Sequence, residues 1–241
     1  SRHGYTLDDA GLVDVSANYW GTPFGPSGDG FFGTGSALVG AINISSYFAG
    51  SPLTTLHYFD LYVDVDGIED VNHFKTIQAA YAAANPGDTI HVADGGYTLG
   101  STTFTITKPG LSIIGAGSAK VSIDASDRVS TAYGIHVAAS DVTLQGFTLI
   151  PDGDLPPAGQ DPEYGAGFPI HVSGTPGILS NITLRDIVIA NAYRTPFDFN
   201  GVDNLLLDGL VASGTVYGTG IGLTGCVGVT ITGCQTASNA W

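Results

Sequence analysis

The sequence predicts an all-β solenoid, a fold in which short strands wind into coils that stack on one another. One observation is an eight-residue segment, VTLQGFTL, which returns with variations three times. The copies begin at residues 142, 182, 205 and 229, in steps of 40, 23 and 24 residues. A second observation is that the copies alternate apolar and polar residues and are rich in β-branched side chains, as strands are. Such a unit buries its apolar face only by stacking on its neighbours.

The first step between copies is longer than the period, because it contains an insertion. Residues 151–168 are rich in Pro, Gly, Asp and Glu. This composition predicts a surface loop on one coil, and loops are where solenoids place binding functions.

The segment before the repeats predicts one helix followed by short strands. Between residues 74 and 84 the apolar residues have helical spacing, and Asn-Pro-Gly at 85–87 ends the helix. Strands are predicted at 89–93, 104–107, 111–114 and 121–124. A second family of strands, at 134–137, 169–172, 196–199 and 220–223, precedes the four repeat copies. Each coil therefore has at least two strands.

The residues after the predicted helix carry a family resemblance. The segment NPGDTIHVADGGY at 85–97 resembles the opening of a right-handed parallel β-helix of the pectin-lyase-like superfamily, and IIGAG at 113–117 is similar to its early coils. The resemblance implies an all-β, right-handed parallel β-helix with a short N-terminal capping helix. The segment NYWG at 18–21, followed by Gly-Pro at 25–26, is similar to the segment that often closes such helices.

The order of these segments predicts three regions. Residues 1–50 are predicted to be the closing segment of a preceding β-helix, residues 51–73 an acidic linker, and residues 74–241 a β-helix that is incomplete at its C-terminal end. We expect this sequence to be a window on a longer modular protein, or a unit whose first segment completes a neighbour's stack. The expected partners are neighbouring modules or copies that stack end to end.

The charge balance excludes some partners. The 241 residues contain 22 acidic and 7 basic side chains, which gives a net charge of -15. Such a surface repels nucleic acids and anionic membranes. The sequence contains no apolar run of about 18 residues, the length that would predict a membrane span.

The two cysteines are Cys226 and Cys234, and Cys234 occupies a repeat position that is apolar in the other copies.

The repeat alignment predicts one outward-facing column of chemically active side chains. Apolar neighbours turn His136 outward from its strand, and the same alternation turns out His171 and Asp198 in the next two coils. Because coils are stacked about 4.8 Å apart, these three side chains should form a ladder. Two imidazoles and a carboxylate can bind a metal or transfer protons. The alternative is that outward positions on a sheet are polar in any case.

Of two basic residues in the repeats, one is a candidate for the neighbourhood of this column. In the pectin-lyase-like superfamily, polysaccharide lyases combine calcium-binding acids with a basic proton abstractor, and this resemblance makes Arg194, near Asp198, a candidate for that role. Arg185 is predicted to pair with Asp208, because Asp208 occupies the same position as Arg185 in the next repeat copy.

An acidic segment is a candidate calcium site. Asp64, Asp66 and Asp70 lie at short intervals around Gly67, and carboxylate oxygens suit a hard cation. No glutamate follows at the twelfth position, so the helix–loop–helix calcium motif is absent. The alternative interpretation is a solvated linker.

Two function classes remain open. The first is a structural or adhesive module of a large secreted or cell-surface protein, a stiff rod without enzymatic activity. The absence of the paired-aspartate and Gly-His-Gly arrangement of pectin-hydrolysing members favours it. The second is a carbohydrate-active enzyme, a polysaccharide lyase or hydrolase that acts along the outer face. An enzyme should place the 151–168 loop over the ladder, with Tyr164 or Phe168 lining a groove.

Overall fold

A computed structural model describes residues 59–127, 133–151, 167–174 and 178–240, together with the backbone of short strands before residue 59. These early strands form three small sheets, in the orders β1–β2–β6, β4–β3–β5 and β7–β8. Their bounds are β1 (Thr6–Leu7), β2 (Val13–Asp14), β3 (Ser27–Gly28), β4 (Phe31–Phe32), β5 (Ala37–Leu38), β6 (Ile42–Asn43), β7 (Ser46–Phe48) and β8 (Leu56–Tyr58). The NYWG segment lies outside the described residues, so the closing role of 1–50 stays a prediction.

The rest of the chain alternates short strands with tight turns. The early coils contain β9 (Asp60–Val63), β10 (His73–Phe74), α1 (Ile77–Ala83), β11 (Thr89–Val92), β12 (Gly95–Thr98), β13 (Phe104–Ile106), β14 (Ser112–Gly115) and β15 (Val121–Asp124). The later coils contain β16 (Ile135–Val137), β17 (Thr143–Ile150), β18 (Ile170–Ser173), β19 (Leu179–Ala190), β20 (Phe197–Asn200), β21 (Val202–Asp208), β22 (Val211–Ser213), β23 (Ile221–Thr224), β24 (Val227–Thr232) and β25 (Gln235–Ala237).

These strands form two parallel sheets around a common core. The long sheet has the order β10–β9–β11–β14–β17–β19–β21–β24, with β12, β15, β22 and β25 extending it sideways. The second sheet has the order β13–β16–β18–β20–β23. Each strand pairs in parallel with strands of the neighbouring coils. This arrangement confirms the predicted all-β parallel β-helix. Among the described residues, no helix has the length and apolarity that a membrane span needs.

The repeat copies stack in the register that their alignment predicts. Leu144, Leu184, Leu207 and Ile231 stand in one line across four coils. The first three are fully buried. Cys234 packs against the core as a half-buried free thiol, in agreement with its apolar position in the repeat. The core is thus a set of apolar columns that run through the stack.

The fifth residue of each copy has a left-handed backbone conformation. The turn at this residue divides each copy into two stretches of strand that run in different directions. Gly146, Asp186, Gly209 and Gly233 have φ of 76°, 48°, 64° and 62°. A single residue in this region bends the strand sharply, and Gly and Asp tolerate it better than most residues. The repeat therefore encodes a corner as well as a core face.

A ladder of one carboxyl and two amide side chains marks a second corner, just before the first three copies. Asp141, Asn181 and Asn204 have φ of 61°, 57° and 58°. The Asn204 Nδ2 group donates to Asn181 Oδ1 at 2.7 Å, and Asn181 Nδ2 donates to Asp141 Oδ1 at 2.7 Å. These bonds connect three successive coils at the surface.

Replacing Asn181 tests the two contributions of this corner separately. Asn181→Ala should lower the free energy of unfolding by about 1–3 kcal/mol, because it loses two hydrogen bonds and places a Cβ residue without a local polar partner at positive φ. Asn181→Gly loses the same bonds and tolerates the φ, so it should be less destabilised. Urea unfolding measures both. Equal stability of the two variants would show that the backbone conformation adds nothing.

The capping helix is present but shorter than predicted, because Phe74 ends a strand and the helix begins only after Thr76. His73 and Phe74 form β10, and α1 begins after Thr76, whose side chain accepts a hydrogen bond from Ala79 N at 3.1 Å. At the other end, the Lys108 ammonium donates to the carbonyls of Tyr81 and Ala84.

The described stack begins inside the segment that was predicted to be an acidic linker. Strand β9 pairs in parallel with β11, and its Leu61 and Val63 are buried in the core. The linker interpretation rested on the acids that follow Val63, which form an exposed turn between β9 and β10. The two-residue alternation of β9 is the sequence signal for the earlier start.

Candidate active site

The outward column predicted from the repeat lies on the second, five-stranded sheet. In its register His136 stands beside His171, and His171 stands beside Asp198. Thr105 precedes the histidines in this column, and Gly222 follows Asp198. The strand pleat explains the direction of these side chains, since their neighbours along each strand are buried in the core.

His171 and Asp198 form a largely buried hydrogen-bonded pair. The distance from His171 Nδ1 to Asp198 Oδ2 is 2.7 Å, and the two side chains are only 10% and 14% exposed. Asn200 donates from Nδ2 to the same Oδ2 at 2.7 Å, which fixes the carboxylate from a second direction. Because an ionised carboxylate only accepts hydrogen bonds, Nδ1 carries the proton and Nε2 is the nitrogen available for proton transfer.

Gly222 keeps the next position of the column free of a side chain. A Cβ at this position would lie 3.2 Å from Asp198 Oδ1 and 3.3 Å from Thr195 Cγ2. The side of the Asp198 carboxylate that faces the following coil is therefore not covered by a neighbouring side chain in the column.

His136 is the second imidazole of the column. Its Nε2 lies 3.1 Å from the Ser173 hydroxyl and 3.3 Å from the Ser173 carbonyl oxygen. Its ring centroid is 5.3 Å from that of His171. Burial lowers the pKa of His136 below its ordinary value of 6.5, and the neighbouring His171 lowers it further. The site thus combines an imidazole whose pKa is lowered with an imidazole that is paired to a carboxylate.

The lowered pKa of His136 predicts a pH dependence of stability. In the unfolded chain His136 titrates near 6.5, and in the folded chain it titrates at lower pH. Between these two values the unfolded state binds more protons, so stability falls as pH falls through this window. Urea midpoints measured between about pH 5 and pH 8 should decline at the acidic end, and less steeply for His136→Asn. Equal slopes for the two proteins would contradict the shift.

Two aromatic rings contact the His171 imidazole. Tyr133 stacks on it with centroids 4.3 Å apart at 23°, and Phe168 stacks at 5.5 Å and 16°. Phe168 agrees with its predicted place at the site. Tyr133 escapes sequence reasoning, because it lies in a turn before β16 and outside the repeated segments.

Arg194 lies at the edge of this cluster, over the ring of Phe168. Its guanidinium carbon is 4.5 Å from the ring centroid, a cation–π geometry. The resemblance suggested instead a proton abstractor beside Asp198. The contact places the Arg194 cation against the aromatic side of the site, over Phe168. Its role in proton abstraction stays a prediction.

Arg185 and Asp208 form the predicted ion pair on the long sheet. Arg185 Nε donates to Asp208 Oδ2 at 2.9 Å, and the side chains are 45% and 36% exposed. Surface pairs of this kind contribute about 0–1 kcal/mol to stability. The pair is remote in topology from the histidine column, since it belongs to the other sheet.

The acids of the candidate calcium site are engaged in local turns. Asp64 Oδ1 accepts from Asp66 N at 3.0 Å. Asp70 Oδ1 accepts from the backbone N–H groups of Asn72 and His73 and pairs with His73 Nδ1 at 2.8 Å. The Asn72 bond is the largest cause of the lowered pKa of Asp70. No three His, Cys, Asp or Glu side chains converge on a metal position in the described parts of the chain. The calcium site stays a prediction.

Most of the predicted overhanging loop is not described by the structure. Asp152, Asp154, Asp161, Glu163 and Tyr164 all lie outside the described residues. Its described end, Phe168, contacts the site. The loop's place over the column therefore stays a prediction.

Comparison with solved structures gives similarity to pectin methylesterases. The chain is 21% identical to a pectin methylesterase mutant in complex with hexasaccharide IV, over 66% of this chain and 49% of that one, with a TM-score of 0.49. It is 19% identical to a pectin methylesterase in complex with hexasaccharide VII, over 64% and 55%, with a TM-score of 0.43. It is 18% identical to pectin methylesterase PemA from Erwinia chrysanthemi, over 66% and 56%, with a TM-score of 0.42.

The chain spans about half the length of these structures. No family model matches the sequence. No curated protein matches it either. The parallel β-helix implied by the resemblance to the pectin-lyase-like superfamily is confirmed by the register of the chain's own strands.

Proposed function

We propose that this chain is an acid–base enzyme that acts on a carbohydrate chain bound along the outer face of the five-stranded sheet. The observation that supports this most is the 2.7 Å bond between His171 Nδ1 and Asp198 Oδ2 in a pair that is largely shielded from water. A carboxylate in this position holds the imidazole in one tautomer and stabilises its protonated form.

The two imidazoles suit complementary roles. We assign proton acceptance to His136, because burial lowers its pKa and so favours the neutral ring, and proton donation to His171, which Asp198 holds in one orientation. Proton acceptance and donation from neighbouring groups are what hydrolysis or elimination at a glycosidic bond needs. The proposed activity is therefore that of a polysaccharide hydrolase or lyase.

The surroundings of the pair suit a sugar chain. Tyr133 and Phe168 present apolar ring surface beside the histidines, and Arg194 and Ser173 add hydrogen-bond donors. Such a mixture of aromatic surface and a few polar groups is typical of small-molecule and glycan sites. A polysaccharide substrate also implies that the protein works outside the cell or at its surface, which is the location we propose.

Turnover of a panel of polysaccharides tests the proposal. Purified protein is incubated with pectin, polygalacturonate, xylan and galactomannan. New reducing ends report hydrolysis, ultraviolet absorbance of the unsaturated product reports elimination, and released methanol or acetate reports ester cleavage. We expect one of the first two signals with at least one substrate. Ester cleavage alone, or no signal from folded protein, would overturn the proposed activity.

A further inference from the structure

A column of three stacked rings lies on the outer face of the long sheet, remote from the histidine pair. Tyr62 lies between His73 and His91, its partners in the two adjacent strands. Both ring pairs have centroids 5.1 Å apart and planes inclined by 19°. We call His73, Tyr62 and His91 the ring column.

The ring column forms one wall of a groove. The groove has a volume of about 400 Å³, within the range of small-molecule sites. It is also lined by small residues at the ends of the neighbouring strands, Ala93, Gly115 and Ala116, which we call its floor, and by Asp64. No residue with a side chain fits at position 115, because its Cβ would overlap the carbonyl oxygen of Gly146.

Carboxylates orient both imidazoles of the wall. His73 Nδ1 pairs with Asp70 Oδ1 and His91 Nε2 pairs with Asp60 Oδ1, each at 2.8 Å. The paired nitrogens donate, so His73 Nε2 and His91 Nδ1 are acceptors in the neutral rings. With the Tyr62 hydroxyl, the wall offers three polar groups on successive strands about 4.8 Å apart.

The aromatic composition is confined to the groove. In register, the outward column of the long sheet contains His73, Tyr62, His91, Ile114, Gln145, Arg185 and Asp208. It is aromatic or apolar where the groove lies and polar beyond it. Tyr62 is 39% exposed, so the column presents aromatic surface to solvent. A surface that only contacts water would be expected to be polar, and exposed apolar surface is typical of binding sites.

We propose that this groove binds an uncharged glycan segment, separately from the proposed active site. Sugar C–H groups would pack on the small apolar floor and the ring edges, while hydroxyls would exchange hydrogen bonds with the three polar groups of the wall. The Asp64 carboxylate lines the groove, Asp60 and Asp70 pair with its two histidines, and the chain has a net charge of -15. This field opposes an anionic ligand. The proposal does not depend on the proposed catalytic activity.

Affinity electrophoresis and calorimetry on the full chain test the site. The probes are galactomannan, xylan and hydroxyethyl cellulose, with polygalacturonate as the anionic comparison. We expect at least one neutral probe to bind and polygalacturonate to bind at least tenfold more weakly at the groove. Tyr62→Ala and the groove-filling Ala116→Phe should each weaken neutral binding at least tenfold. Two different variants, checked by circular dichroism, guard against loss of the fold as the cause.

Tyr217→Ala is the matched control, because Tyr217 is 40% exposed on a distant coil. It should bind as the unchanged protein does. His171→Asn should retain the part of the binding that Tyr62→Ala and Ala116→Phe remove, which separates this groove from the proposed active site. Absence of binding to all neutral probes, stronger binding of polygalacturonate, or unchanged binding in both groove variants would each overturn the proposal.

Discussion

Gly115→Ala is expected to destabilise the fold strongly, although it adds only one methyl group. The new Cβ would overlap the carbonyl oxygen of Gly146 on the next coil, and a Cβ on Gly146 would overlap the carbonyl oxygen of Gly115 in the same way. Neither backbone can retreat freely, because Ser112 to Ile114 pair in register with Thr143 to Gln145 just before the contact. Overlap with fixed backbone in a packed core costs about 3 kcal/mol or more.

Gly96→Ala provides the matched control for this prediction. Gly96 also lies in a strand of the early coils, but the nearest atom to its added Cβ is Ser122 Oγ at 3.5 Å. Its stability should therefore change by no more than about 0.5 kcal/mol. Urea or thermal unfolding of both variants gives the comparison. Equal free energies of unfolding would show that the two coils do not approach as closely as the structure has them.

Asp198→Asn is expected to have the largest effect on activity. The amide can donate a hydrogen bond to His171 Nδ1, which favours the wrong tautomer, and it removes the charge that stabilises the protonated ring. On the proposed function, turnover of the substrate found in the polysaccharide panel should fall by about 10²–10⁴-fold.

The control is Asp208→Asn, which also removes a carboxylate from an outward-facing pair. Asp208 is paired with Arg185 on the long sheet and is partly exposed, so its loss should leave turnover unchanged and stability nearly so. Melting temperatures of both variants separate a loss of fold from a loss of chemistry. Equal turnover in the two variants would remove Asp198 from the proposed site.

The sequence predicts the histidine column because its members lie on strands that repeat. Once Val137, Val172 and Phe199 are assigned to the core, the pleat turns His136, His171 and Asp198 outward at fixed spacing. The repeat does not predict the stacking of Tyr133 on His171 or the contact between Ser173 and His136. These contacts depend on how a turn and the end of a strand fold over the column.

The ring column could not be predicted in the same way. Its three members come from the first coils, where no repeat is visible, and the acidic turn between β9 and β10 hides the alternation of β9. The sheet order β10–β9–β11 also places His73 and His91 on opposite sides of Tyr62. Only the pairing of strands shows that these residues form one wall.

The claim that His171 and Asp198 act as one acid–base unit is tested most directly by a double-mutant cycle. Turnover is measured for His171→Asn, Asp198→Asn and the double variant, with the substrate from the polysaccharide panel. Residues that act as a unit are strongly non-additive. We therefore expect the double variant to be no more than about tenfold slower than the slower single variant. Losses that multiply in the double variant, or single variants as active as the unchanged protein, would contradict the account.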